Sequence, residues 1–216
     1  MPFRTTGFHA LLAAVGAALC LAPSAGAEAI APTSPPIQIV ERLHSALLGV
    51  MKEAKTLGYE GRYQKLAPVL KETYDTPFMA EKSVGRHWKQ ATPAEQKTLV
   101  ETFSRFMIAN YAGRFDGFSG QSFQTVKEEP SAQGTVLVRT RLVEPQGEGV
   151  RLDYRLRPEN GSWRIIDVYL NGTVSELALR RSEYSSLIKR EGWNAVIAAL
   201  DERIQSFATA PADQNL

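Results

Sequence analysis

Residues 150–157, Val-Arg-Leu-Asp-Tyr-Arg-Leu-Arg, alternate apolar and polar side chains without a break. A period of two marks a strand with one wet face and one apolar face. The same pattern predicts strands at about 121–128, 135–143, 149–157 and 163–170. Asn160-Gly161 is a two-residue hairpin signal joining the last two. Counting back from that turn places Leu156 opposite Ile165, Tyr154 opposite Asp167 and Leu152 opposite Tyr169. A turn near Gln146-Gly147 places Leu142 opposite Val150 and Val138 opposite Tyr154, with Arg139 facing Asp153 on the wet side.

Before the strands, the apolar positions recur at helical spacing. Ile39, Val40, Leu43, Leu47 and Val50 predict a helix over 37–57, stopped by Gly58. A second covers roughly 61–74, and a third runs from Pro77 to Trp88 with Thr76 as its cap. Thr92-Pro93-Ala94-Glu95 is a capping box that opens a long amphipathic helix, ended by Gly113 and Gly117. One broad face of that helix carries Leu99, Phe103, Phe106, Met107, Asn110 and Tyr111. After the strands, helices at about 174–190 and 192–207 are separated by Gly192. An antiparallel sheet with one apolar face, flanked by helices on both sides in sequence, is an α+β layer architecture in which helices cover that face.

The ends read differently. Arg4, the apolar run from Phe8 to Ala22 and Ala25-Gly26-Ala27 have the form of a secretory signal, residues 1–27, cleaved after Ala27. Residues 28–36, rich in proline, read as a disordered leader, 37–208 as one domain and 209–216 as a flexible tail. The single cysteine, Cys20, lies within the signal, so the exported chain would have no disulfide, thiolate metal site or cysteine nucleophile. Only Arg4 among the 25 basic residues falls in the signal, which leaves 24 against 23 acidic residues. Such a balance provides no electrostatic drive toward nucleic acid.

Candidate chemistry is sparse. His44 and His87 stand on different helices without carboxylates at metal-ligand spacing, and read as surface or partly packed residues, so no metal or cofactor is expected. No nucleophile elbow, phosphate loop or dinucleotide fingerprint is present. Asp167 is the exception: the register sets it on the apolar face among Tyr154, Ile165 and Tyr169, where a charge must be hydrogen-bonded or its pKa raised. It is read as a structural carboxylate, with a small lyase or isomerase built around it as the enzymatic alternative.

The segment Tyr-Asp-Thr-Pro-Phe-Met-Ala-Glu-Lys-Ser-Val-Gly-Arg-His-Trp, residues 74–88, the Tyr111-Ala112 pair, Trp163 with Asp167-Val168, and the run Gly172, Val174-Ser175, Arg181-Ser182, Tyr184 together resemble the MlaC family of periplasmic phospholipid carriers. The resemblance spans about residues 38–205. Thr173 is an extra residue relative to the usual pattern, and Arg180 stands where a tyrosine commonly precedes the Arg-Ser pair, which makes 171–185 more similar to the hopanoid-associated HpnM branch. The resemblance implies a four-stranded, curved antiparallel sheet with N-terminal and C-terminal helices around a hydrophobic cavity. It also implies a non-enzymatic periplasmic shuttle for phospholipid or hopanoid. Such a shuttle would exchange its cargo with an inner-membrane transporter of the ABC or RND type and with an outer-membrane acceptor.

A lipid with about thirty methylenes loses on the order of 20 kcal/mol by standing in water, so only a deep apolar cavity can hold it. The residues available to line one are Phe103, Phe106, Met107 and Tyr111 on the long helix; Val136, Val138, Leu142, Val150, Leu152, Tyr154, Leu156, Ile165 and Tyr169 on the strands; and Leu187 and Ile188 behind. Three readings stand at this level: a lipid carrier, a small enzyme using Asp167, and a non-catalytic envelope adaptor that docks through its arginine-bearing sheet face.

Overall fold

The computed structural model describes residues 35–147 and 149–209; the expected signal and cleavage site, residues 28–34 of the leader and 210–216 of the tail lie outside them. Among the described residues six α-helices pack with one sheet: α1 (Pro36–Lys52), α2 (Ala54–Thr73), α3 (Thr76–Val84), α4 (Pro93–Arg114), α5 (Glu176–Glu191) and α6 (Trp193–Thr209). The strands are β1 (Ser122–Ser131), β2 (Thr135–Val143), β3 (Val150–Glu159), β4 (Ser162–Leu170) and β5 (Val174–Ser175), paired antiparallel in sequence order. The sheet therefore has five strands where four were expected. The fifth is two residues long, too short to produce a periodic signal.

The helix boundaries differ from expectation in informative ways. The first helix ends at Lys52 and the chain turns at Glu53; Gly58, with φ of 58°, kinks α2 rather than stopping α1. Asp75, not Thr76, caps α3 by accepting from the Phe78 amide at 3.0 Å. Its other oxygen accepts from Arg157 Nε at 2.6 Å, so one buried carboxylate joins a helix start to β3. The segment 85–90 continues as a 3₁₀ helix. The capping box at Thr92 and Glu95 forms in both directions. Gly113 lies within the last turn of α4, where a Cβ would stand 2.6 Å from the ring of Phe207 on α6.

The register follows the expected pairs on β2 and β3: Leu142 with Val150, Val138 with Tyr154, and Arg139 with Asp153. Between β3 and β4 it holds only at Leu156 with Ile165. A bulge then leaves Ile166 unpaired, so that Asp167 lies opposite Arg155, Val168 opposite Tyr154, Tyr169 opposite Asp153 and Leu170 opposite Leu152. One extra residue exchanges the two faces beyond the bulge. Val168 and Leu170 thereby take the apolar side expected of Asp167 and Tyr169.

Part of the apolar face is covered by α1, which contacts β1, β2 and β4, and by α2 and α3, which reach β4. The start of α1 is fixed where the Ile37 amide donates to Glu128 of β1 at 3.1 Å. Val138, Leu156 and Ile165 are fully buried beneath these helices with Val40, Leu43 and Leu47. His44 and His87, expected at the surface or partly packed, are both buried. On the opposite face Asp153 has no exposure: Arg139 at 2.9 Å and Arg151 at 3.0 Å cover it, and the Thr140 amide donates to its second oxygen.

Candidate functional site

The rest of the apolar face is not filled. A cavity of about 270 Å³ lies between it and α4. The helix presents Phe103, Phe106, Met107, Asn110, Tyr111 and Arg114, residues three or four apart that share one side over three turns, and Phe115 continues them. The sheet presents Leu142, Val150, Leu152, Tyr154, Val168 and Leu170, with Met79 from α3 and Glu176, Leu177 and Arg180 from the start of α5.

Exposure is graded across this lining. Phe103, Phe106 and Tyr154 are 1% exposed, whereas Leu170 is 36% exposed and Arg114 is open to solvent. The floor is thus apolar and aromatic; Arg114 and Glu176 bring polar groups to the exposed edge, and Asn110 and Arg180 are partly buried in the wall.

At the floor, polar atoms are paired so that they cost little. The Tyr154 hydroxyl meets His44 Nε2 at 3.2 Å, and the imidazole stacks on Phe123 with ring centres 3.9 Å apart. Burial pushes the His44 pKa down to about 3, so the ring is neutral at ordinary pH. The Tyr111 hydroxyl shares a short hydrogen bond with that of Tyr74. Burial raises both, Tyr111 to about 12 and Tyr154 well above its ordinary value, so these groups remain neutral phenols.

At the corner where β4 turns into β5 and α5, Asp167 acts as a clasp. One carboxylate oxygen accepts from the Val168 amide at 2.8 Å and the Leu177 amide at 3.1 Å, and the other accepts from the Ser175 hydroxyl at 2.6 Å. The Ser175 oxygen in turn accepts from the Ala178 amide, capping α5. Burial raises the Asp167 pKa, and these hydrogen bonds oppose the rise. With its oxygens turned to these donors, Asp167 does not line the cavity; it anchors the element that carries Glu176, Leu177 and Arg180. Among the described residues no cluster of His, Cys, Asp or Glu is placed to hold a metal ion, and no helix is long and apolar enough to cross a membrane.

Of the residues expected around a cavity, Phe103, Phe106, Met107, Tyr111, Leu142, Val150, Leu152 and Tyr154 come together on its wall. Val138, Leu156 and Ile165 lie in the closed core, while Val136, Leu187 and Ile188 pack against it from outside. Tyr169, paired with Asp153, is on the other face. Sequence reasoning missed Met79, Asn110, Arg114, Phe115, Val168, Leu170, Glu176, Leu177 and Arg180. Asn110 and Arg114 extend the aromatic face of α4 and were accessible from its spacing. Val168 and Leu170 depend on the bulge, and the α5 residues on the corner held by Asp167.

Residues 41–202 match the MlaC protein family. Among solved structures, a phospholipid-binding protein from Ralstonia solanacearum, determined in complex with a phospholipid, shares the fold at a TM-score of 0.69 and 23% sequence identity, over 83% of this chain and 100% of that one. The family match covers most of the chain, including α4, the sheet and the α5 corner that enclose the cavity, and the chain belongs to the MlaC family.

Proposed function

We propose that this protein is a lipid carrier, which takes a phospholipid or hopanoid into the cavity beneath α4 and passes it between the inner and outer membranes. The observation that carries the reading is the incomplete cover of the sheet: an apolar, aromatic-floored space opening to a polar mouth, in a chain of the MlaC family. The Ralstonia protein of the same fold, described as phospholipid-binding, supports it further. At about 270 Å³ the space lies just under the roughly 300–1,000 Å³ of ordinary small-molecule sites, so the cavity must widen to hold a whole lipid. The signal-like start supports a periplasmic carrier, and the partners we propose for it are an inner-membrane transporter of the ABC or RND type and an outer-membrane acceptor.

The carrier performs no chemistry on its cargo. The one carboxylate that suggested catalysis, Asp167, is engaged by three donors and is not part of the cavity lining. Transfer between labelled donor vesicles and unlabelled acceptors, followed by mass spectrometry of the bound and released lipid, tests this. Intact lipid bound and moved is the expected result. A protein purified without lipid that neither extracts nor delivers any would overturn the carrier reading, and stoichiometric release of a cleaved product would overturn its non-enzymatic part.

A further inference from the structure

We infer that the surface formed by the β4–β5 turn and the start of α5 docks on an anionic phospholipid bilayer; this rests on the carrier function proposed above and names the surface on which cargo is exchanged. Among the described residues five large apolar side chains stand well exposed, and three of them, Leu170, Val174 and Leu179, at 36%, 42% and 53%, fall in the single stretch 170–179. They are also neighbours in space. Leu170 pairs with Val174 between β4 and β5. Ser175 is the N-cap of α5, so Val174 stands just before the cap and Leu179 four residues into the helix, positions whose side chains commonly pack together at a helix start. Leu170 belongs to the cavity wall as well, so the patch continues the lining onto the surface. A fourth exposed side chain, Phe118, follows Phe115 of the same wall by three residues.

An apolar patch that adjoins a lipid-sized opening marks a surface that is covered in use. The charges beside it indicate what covers it. Arg151 lies against the β4–β5 turn: a Cβ on Gly172 would stand 2.1 Å from its guanidinium, so the glycine makes room for the cation. Its side chain remains 42% exposed, and it shares the buried Asp153 with Arg139, two cations to one carboxylate. Arg141 stands directly opposite it across β2 and β3, and the two line a surface groove with Asn171 of the turn. Like charges placed side by side in a sheet cost stability, which suits a surface that meets negative charge. Lys52 Nζ stands 5.5 Å from the centre of the Phe118 ring. Glu176, in the first turn of α5, is offset by Arg180 at 3.7 Å.

Apolar side chains bordered by cations match a bilayer interface, where the former enter the acyl boundary and the latter stay among the headgroups. A protein partner would have to supply an apolar patch of its own beside the opening. A bilayer supplies the acyl chains themselves. Docked in this way, the carrier exchanges tails at the hydrocarbon boundary without passing them through water.

The test is co-sedimentation of the purified protein with phosphatidylcholine vesicles, with and without added phosphatidylglycerol. The wild type is expected to bind the anionic vesicles about fivefold more strongly, and raised salt should shrink that preference. Val174→Gln/Leu179→Gln should lower binding to the anionic vesicles about tenfold while the protein retains the lipid content of the wild type by mass spectrometry, because neither residue lines the cavity. Val126→Gln, which removes a side chain 64% exposed on β1, should bind as the wild type does. Arg151→Gln should reduce the preference for phosphatidylglycerol; if it unfolds through its bond to Asp153, the salt series still reads the charge. A wild type that stays in solution with both vesicles yet loads and delivers lipid overturns the docking surface and leaves the carrier function intact, a protein then being what covers the patch. A Gln pair that loses no more binding than Val126→Gln, or a wild type indifferent to phosphatidylglycerol, also overturns it. A wild type that neither binds vesicles nor carries lipid removes the carrier function and the inference together.

Discussion

The two halves of the sheet's apolar face come from the same strands but have different surroundings. Toward the β3–β4 hairpin, Val138, Leu156 and Ile165 are wholly covered by α1, α2 and α3. Toward the other end, Leu142, Val150, Leu152, Val168 and Leu170 face an open space under α4. Tyr154 stands at the border, lining the cavity with its ring while its hydroxyl is bonded to His44 of the closed half. The difference shows that alternation identifies the apolar side of a strand but not the depth of what covers it. One half supplies stability, and in doing so allows the other to remain unfilled.

The largest expected contrast comes from truncating each half. Leu156→Ala removes a fully buried side chain from a region with no room to relax, and should cost about 2–5 kcal/mol. Leu152→Ala, at the edge of an existing cavity, should cost less than about 1 kcal/mol in the lipid-free protein, because much of its surroundings is already empty. Denaturant unfolding of both variants without lipid measures the gap. Equal losses would mean the two halves are packed alike.

The second contrast is pH dependence, which should reside in the closed half. Burial lowers His44 from 6.5 to about 3, so the folded state holds the neutral ring and the unfolded state takes the proton first. The stability this contributes is present above pH 6.5 and declines as the pH falls toward 3. Between pH 7.5 and 5 the loss amounts to about 2 kcal/mol, and His44→Gln should flatten that part of the profile. An unchanged slope in the variant would place the titrating group elsewhere.

These contrasts also define what was legible in the sequence. The helices, the alternation in β3, the capping box and the β2–β3 register were all readable because each rests on local spacing. The bulge was not: Ile165 and Ile166 are adjacent and both apolar, so either could face inward, and the phase of β4 beyond them was undetermined. That ambiguity placed Asp167 and Tyr169 on the wrong face and concealed Val168 and Leu170. Likewise, Val138 and Leu152 lie on one side of neighbouring strands, and nothing local distinguishes the one under α1 from the one under open space. The histidines were misjudged for a related reason, since only tertiary packing brings Phe123 and Tyr154 to His44.

A third, smaller effect concerns the clasp that sets the edge of the open half. Asp167→Asn keeps one acceptor oxygen for the Val168 and Leu177 amides but replaces the other, which accepts from Ser175, and should cost about 1 kcal/mol. Because burial raises the Asp167 pKa, its contribution is largest below the ordinary carboxylate value of 3.8 and fades as the pH rises through the raised one. The penalty of the substitution should therefore shrink toward neutral pH, as read from unfolding midpoints at pH 4 and 7. A penalty that grows with pH would show that hydrogen bonding outweighs burial at this carboxylate.

The smallest effect on stability should accompany the largest effect on cargo. Leu152→Trp adds bulk on the cavity wall, where the space of about 270 Å³ can receive an indole without displacing the backbone. The lipid-free protein should unfold within about 0.5 kcal/mol of the wild type, the range of a substitution that strains nothing. Val138→Trp adds similar bulk to a site with no exposure and no space, and overpacking there should cost about 1–3 kcal/mol or more. Lipid bound after expression, measured by mass spectrometry, should change in the opposite sense: nearly absent from Leu152→Trp, and retained by whatever fraction of Val138→Trp remains folded. The pair separates occupancy from stability, because a general loss of packing would lower both together in each variant. If Leu152→Trp keeps its lipid and Val138→Trp loses it without destabilisation, the tails lie in the half described here as closed, and the border at Tyr154 has been drawn on the wrong side.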